Sequence, residues 1–124
     1  METLTKAEER VMQIVWQLKK GFVKDFIAEM DAPKPSYNTV STIIRILEKK
    51  EFIGHKAYGK SYEYFPKISK FAYRKFAFSK LFSDYFEGSY GIVMSYLVKE
   101  EGLSKEDLEE LNQIIDKADE NSKA

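Results

Sequence analysis

The chain is 124 residues long, 44% hydrophobic and 32% charged, which leaves room for one compact domain or a small domain with a helical appendage. Cysteine is absent and histidine occurs once, as His55, so disulfides, thiolate or histidine-rich metal sites and cysteine nucleophiles are excluded, and neither metal nor cofactor is expected. The formal net charge is zero; with no run of about 18 apolar residues and no basic region leading into an apolar N-terminal stretch, neither membrane insertion nor secretion is expected, and a cytoplasmic location is.

Thr5 and Glu8 stand three apart at the head of an apolar-periodic stretch, a capping box worth about 1 kcal/mol. Val11, Val15 and Leu18 recur at helical spacing, with Met12 and Trp16 widening the stripe, so a first helix is predicted with Trp16 in the core. Lys19 and Lys20 suit its negative end and Gly21 the left-handed closing position. Phe22, Val23, Phe26, Ile27 and Met30 predict a second, shorter helix with Lys24 near its start. Pro33 and Pro35 end it, because each removes a donor and forces its predecessor extended.

From Ser36 or Tyr37 to about Lys50 a third helix is predicted, with Val40, Ile43, Ile44 and Leu47 on one face. The opposite face reads Asn38, Thr39, Ser41, Thr42, Arg45 and Lys49: short hydrogen-bonding groups and long cations, with no carboxylate until Glu48. A merely solvated face ordinarily mixes glutamate with lysine, whereas an acid-free one suits a helix lying against phosphates and base edges. The charge distribution agrees. Residues 34–80 carry 11 lysines and arginines against Glu48, Glu51 and Glu63, a balance of +8, while 1–33 balance at −1 and 81–124 at −7. A polyanion feels the local field within a Debye length of about 8 Å, so the basic middle counts for more than the neutral total.

Phe52 to Tyr58, then Gly59-Lys60, then Ser61 to Phe65 closed by Pro66, read as a two-stranded hairpin with Lys60 at its tip. Three helices and a hairpin in this order make a winged helix-turn-helix, whose third helix enters the major groove while the hairpin flanks it. Lys56, Lys60 and Ser61 on the wing and Lys24 on the second helix are candidate phosphate contacts. His55 is read as a structural strand residue rather than a pH sensor, and Tyr58, Tyr62 and Tyr64 as packing on the third helix rather than stacking on bases.

After Ser69 the character changes. Phe71, Ala72, Phe78, Phe82, Tyr85 and Phe86 make an aromatic helix ending at Gly88; Ile92, Val93, Tyr96 and Leu97 mark a helix from Ser89 to about Glu100. Gly102 ends that one, and Ser104 with Asp107 opens a last helix with Leu108, Leu111, Ile115 and Ala118 at coiled-coil-like spacing. The expected fold is therefore mostly α: a winged-helix DNA-binding domain over 1–68, then a helical dimerisation region over 69–124. Its apolar stripes exceed what a monomer of this size can bury, and a two-fold axis would cover them. Phe71, Phe78, Phe82, Ile92, Tyr96, Leu108, Leu111 and Ile115 are the dimerisation candidates. A ligand cavity among the aromatics of 71–86 is the competing reading of that stretch.

These residues carry a resemblance. Leu4-Thr5-Lys6-Ala7-Glu8-Glu9 with Val11-Met12 and Val15-Trp16 resembles the opening signature of the penicillinase-repressor (BlaI/MecI/CopY) family. Thr39-Val40-Ser41-Thr42 with Leu47-Glu48-Lys49-Lys50 and Ile53 is similar to its recognition helix and wing start, Tyr64-Phe65-Pro66 to the wing's end, and Leu103-Ser104 with Leu108, Glu110 and Leu111 to its closing helix. The resemblance implies a homodimeric winged-helix repressor on a palindromic operator of double-stranded DNA. It also implies that Asn38, Ser41, Thr42 and Arg45 lie at or near base edges and that Thr39 touches phosphate. Family members are released either by a membrane sensor-transducer protease cutting the dimerisation region or by metal binding at C-terminal cysteines; the absence of cysteine excludes the second route here. The scissile Asn–Phe bond of the cleaved members aligns with Ser95–Tyr96, where the aromatic is kept and the asparagine is not, so proteolysis and another inducing signal both stay open.

The reading is a sequence-specific, non-enzymatic repressor. A winged-helix protein-interaction module and a small-molecule-responsive regulator are its rivals. An enzyme has nothing to build on, since no apolar carboxylate pair, glycine-rich phosphate loop or nucleophile–base pair is present.

Overall fold

A computed structural model describes the backbone of residues 1–123 and side chains through 118. The elements are α1 (Lys6–Leu18), α2 (Val23–Ala28), α3 (Tyr37–Lys49), β1 (Ile53–Tyr58), β2 (Ser61–Pro66), α4 (Lys70–Phe86), α5 (Tyr90–Glu100) and α6 (Lys105–Lys123). They form two compact units, Met1–Ala77 and the chain from Phe78 onward. The first is a winged helix: three helices followed by an antiparallel hairpin.

α1 begins as predicted. Thr5 Oγ1 accepts from the Glu8 amide and Glu8 Oε1 accepts from the Thr5 amide, at 3.2 and 2.9 Å. Its end differs from expectation: Lys19, not Gly21, takes the left-handed position, with φ 70° and its amide donating to the Val15 carbonyl at 2.8 Å. Gly21 is instead extended and exchanges two backbone hydrogen bonds with Tyr64, at 3.0 and 2.8 Å, which ties the end of β2 to the α1–α2 turn. A glycine is needed there for space rather than for φ. A Cβ on Gly21 would sit 3.0 Å from the ring of the fully buried Phe26.

α2 is short, and its ends are tied by side chains. Asp25 accepts from the Phe22 amide at 2.9 Å, and Lys34 Nζ donates to the Ile27 and Ala28 carbonyls at 3.1 and 2.8 Å. Ser36 caps α3 by accepting from the Thr39 amide at 3.2 Å. Val40, Ile44 and Leu47 of α3 then bury against Val11, Met12 and Val15 of α1 and Phe26 of α2. In the hairpin Ile53 pairs with Pro66 and Tyr58 with Ser61, leaving a two-residue Gly59-Lys60 loop. Gly59, at φ 61°, supplies the positive angle that the first position of such a turn requires.

The first unit includes the opening turns of α4. Tyr73 is buried, its hydroxyl accepts from the Leu4 amide at 2.9 Å, and its ring meets Phe52 edge-on. Trp16 is half-buried against this core and donates Nε1–H to the Ile68 carbonyl at 2.9 Å.

In the second unit Gly88 and Gly102, at φ 66° and 70°, punctuate the helices, and Ser89 caps α5. Ser104 and Asp107 exchange reciprocal capping bonds at the head of α6, at 2.9 and 3.1 Å. Ring pairs Phe82–Tyr90 and Phe86–Tyr96 hold α4 to α5, and Phe78 packs on Phe82 within α4. No residue of α5 is buried.

Candidate nucleic-acid interface

With Val40, Ile44 and Leu47 anchored below, α3 turns Asn38, Thr39, Thr42, Arg45 and Lys49 outward, all exposed. Thr42 Oγ1 donates to the Asn38 carbonyl at 2.8 Å, so its lone pairs face away from the helix, and the Thr39 hydroxyl lies 2.9 Å from that of Ser36. Ser41 departs from the predicted face. It is 8% exposed because it lies about 60° round the helix from Ile44, at the margin of the core. Its Oγ accepts from Arg45 Nη2 at 3.2 Å, which makes it a positioner of Arg45 and takes it off the open face.

Two of the three carboxylates of the basic segment, Glu48 and Glu51, are occupied. Glu48 is half-buried and paired with His55 Nδ1 of β1, whose ring stacks on Tyr62 at 4.4 Å, and Glu51 is paired with Lys67. Lys50 is turned inward onto both oxygens of the buried Glu8, at 3.0 and 3.1 Å. Burial alone would push the Glu8 carboxyl up; the Thr5 amide and the Lys50 ammonium outweigh it and hold the carboxyl below its usual range. Among the described residues Lys24, Arg45, Lys49, Lys56 and Lys60 have no carboxylate within 4.0 Å.

The start of α2, one side of α3 and the wing enclose a cleft of about 700 Å³. Lys24, Ser41, Arg45, Lys60 and Ser61 line it, so half of the predicted DNA contacts converge on one place. Its other walls are aromatic, from Phe22, Tyr37, Tyr58, Tyr62 and Tyr64. Tyr64 is buried, and burial first and the nearby Glu48 second push its phenol up. Tyr58 and Tyr62 are 49% and 46% exposed, and Tyr62 reaches α3 only through His55, which pairs with Glu48. Asn38, Thr39, Thr42 and Lys49 stand outside the cleft on the outer face of α3, and Lys56 lies on β1 with Nζ 5.3 Å from the Tyr58 ring centre. Tyr37 and Phe22 were not singled out from sequence. Each reads as an ordinary helix-end aromatic until three distant segments meet around it.

Of the predicted dimerisation residues, Phe71 lies in the first unit, exposed, with the Arg74 guanidinium 5.6 Å from its ring centre. Phe78, Ile92, Tyr96, Leu111 and Ile115 are exposed on the helices of the second unit, and Phe82 and Leu108 are half-buried. The Ser95–Tyr96 bond is inside α5, both residues exposed; the Tyr96 hydroxyl donates to Glu101 at 3.3 Å, and that carboxylate pushes the phenol up.

A family model described as penicillinase repressor matches residues 4–117, nearly the whole chain. The chain belongs to the penicillinase-repressor family. It is similar to the methicillin resistance regulatory proteins MecI of Staphylococcus aureus strain N315, at 28% identity, and of Mammaliicoccus sciuri, at 27%, each over 92% of this chain and 94% of the relative. It is also similar to the penicillinase repressor of Bacillus licheniformis, at 24% identity over 91% of this chain and 89% of the relative. The penicillinase-repressor family is a regulatory family. Among the described residues no helix is long and apolar enough to cross a membrane.

Proposed function

We propose that this chain represses transcription in the cytoplasm by binding a palindromic operator as a homodimer, with α3 in the major groove and the wing on the flanking backbone. The observation that carries this reading is the exposed face of α3, free of acids from Asn38 through Arg45, where Lys24, Arg45, Lys49, Lys56 and Lys60 have no carboxylate partner among the described residues. Asn38, Thr42 and Arg45 read base edges, with Arg45 suited to guanine and Asn38 to adenine. Thr39, Lys49, Lys56, Lys60, Ser61 and Lys24 hold phosphates and carry affinity rather than sequence. Exposed Phe78, Ile92, Tyr96, Leu111 and Ile115 support the dimer, which would cover them. Relief follows when the dimer is lost, because a monomer forfeits the effective concentration of the second half-site. A membrane sensor-transducer protease acting at Ser95–Tyr96 is one route to that loss.

The test is a salt titration of binding to a pool of genomic fragments, with the bound fraction sequenced. The expected outcome is a palindromic motif and a log–log salt slope of about −5 or steeper. A shallow slope with no enriched motif would reject this reading in favour of a protein-interaction module.

A further inference from the structure

The cleft beside α3 has more in it than duplex DNA can use. Its cations, Lys24, Arg45 and Lys60, come from three different elements and none has a carboxylate partner among the described residues. Among the described residues no carboxylate lines it. Such a lining is electropositive and attracts an anion. Its walls are ring faces and free phenols. Tyr37, Tyr58 and Tyr62 are exposed and their hydroxyls make no hydrogen bond among the described residues. His55 covers one face of Tyr62 and Lys56 lies over one face of Tyr58; the bases of a duplex are stacked on one another, so a phosphate backbone passing over the cleft would make no use of what the rings still expose. The volume, about 700 Å³, falls in the range that holds a small organic ligand.

We infer that this cleft is an effector site for a small planar aromatic anion, a carboxylate or phosphate carried on a ring. The anionic group sits among Lys24, Arg45 and Lys60, and the ring lies against Tyr58 and Tyr62. The inference rests on the DNA-binding reading for its consequence: three cations proposed to hold the operator are taken by the ligand, so the two compete. Competition of this kind weakens operator binding by the factor 1 + [L]/Kd, with no change in fold required.

The test uses the full chain and three probes: 1-naphthyl phosphate, which has ring and charge, inorganic phosphate, which has only charge, and 1-naphthol, which has only the ring. Each is titrated calorimetrically, then added to a complex of the protein with its selected DNA. The expected result is one site per chain for 1-naphthyl phosphate, at least about tenfold tighter than for either partial probe, and displacement of DNA by that probe alone. Y62A is expected to weaken the naphthyl phosphate about fivefold or more, with DNA affinity measured separately in the absence of ligand. Equal binding of inorganic phosphate and 1-naphthyl phosphate would overturn the inference, since the cleft would then be a seat for backbone phosphate only. So would binding unaffected by Y62A and Y58A, or saturation without displacement of DNA. Absence of salt-dependent DNA binding by the wild-type chain would reject the repressor reading instead, and the calorimetry would still decide the cleft.

Discussion

Glu8 joins a local role to a long-range one. It closes the capping box of α1 through the Thr5 amide and, 4% exposed, receives Lys50 from the far end of α3. Its carboxyl is held below its usual value, so the sign of the pH dependence follows. The contribution to stability is complete above the unfolded glutamate pKa of about 4.3 and is lost as pH falls through the depressed native value. E8Q is expected to cost about 1–2 kcal/mol at pH 7, and the difference from wild type should shrink as pH falls through the depressed native value, read in denaturant unfolding at neutral and acid pH. An equal cost at both pH values would mean that the charge contributes nothing. Gly21 and Lys19 make a complementary pair. G21A drives a Cβ toward the fully buried Phe26 ring and should destabilise by about 1–3 kcal/mol. K19G relieves a left-handed non-glycine residue and should stabilise by up to about 1 kcal/mol in the same assay. The capping box was legible because its signal lies within four residues. The exchange of roles between Lys19 and Gly21 was not, because Tyr64 and Phe26, which decide it, are far along the chain from Lys19 or folded back from the next helix.

α3 and the hairpin were legible as elements because apolar spacing and turn chemistry are local. Ser36, Val40, Ile44 and Leu47 specify the helix and the face it buries, and Gly59 with a two-residue loop specifies the register of the wing. Their division of labour predicts two distinct phenotypes. R45A should cost about 1–3 kcal/mol of operator binding and relax the sequence preference at the contacted base pair, read by repeating the fragment selection with the variant. K60A should weaken binding to all sequences alike and lower the salt slope by about one per protomer, with the selected motif unchanged. A motif altered by K60A would mean that the wing reads bases. Ser41 shows where the pattern misleads: it is polar and flanked by polar residues, yet its place round the helix puts it at the core margin under Arg45.

At the scale of the whole molecule the two units differ in how they satisfy their apolar residues. The first has a closed core, from Leu4 through Tyr73. The second leaves Leu81, Tyr85, Tyr90, Ile92, Tyr96, Val98, Leu111, Ile114 and Ile115 exposed. The proposed dimer accounts for them, because a second copy supplies the same surface. The proposed dimer therefore predicts that the wild-type chain sediments at twice its mass and that the double substitution I92E/L111E gives a folded monomer. Operator affinity of that variant should fall by about 10²–10⁴, the loss expected when two linked half-site contacts become independent. A monomeric wild type that binds DNA with full affinity would overturn the dimer.

Composition and local pattern by themselves determined the absence of thiol chemistry, the order of helices and hairpin, the buried faces and the acid-free surface of α3, because each is written within a few residues or in the residue inventory. Family membership was legible for the same reason, its motifs being contiguous. Only the tertiary structure decided which cations are spent on internal pairs and which stay free, since Lys50 and Lys67 read no differently from Lys49 and Lys60 until Glu8 and Glu51 are folded against them. It alone brought Lys24, Arg45 and Lys60 to one aromatic cleft. Electrostatics and concavity act through space, and the residues that share that cleft are separated by up to about 40 positions along the chain.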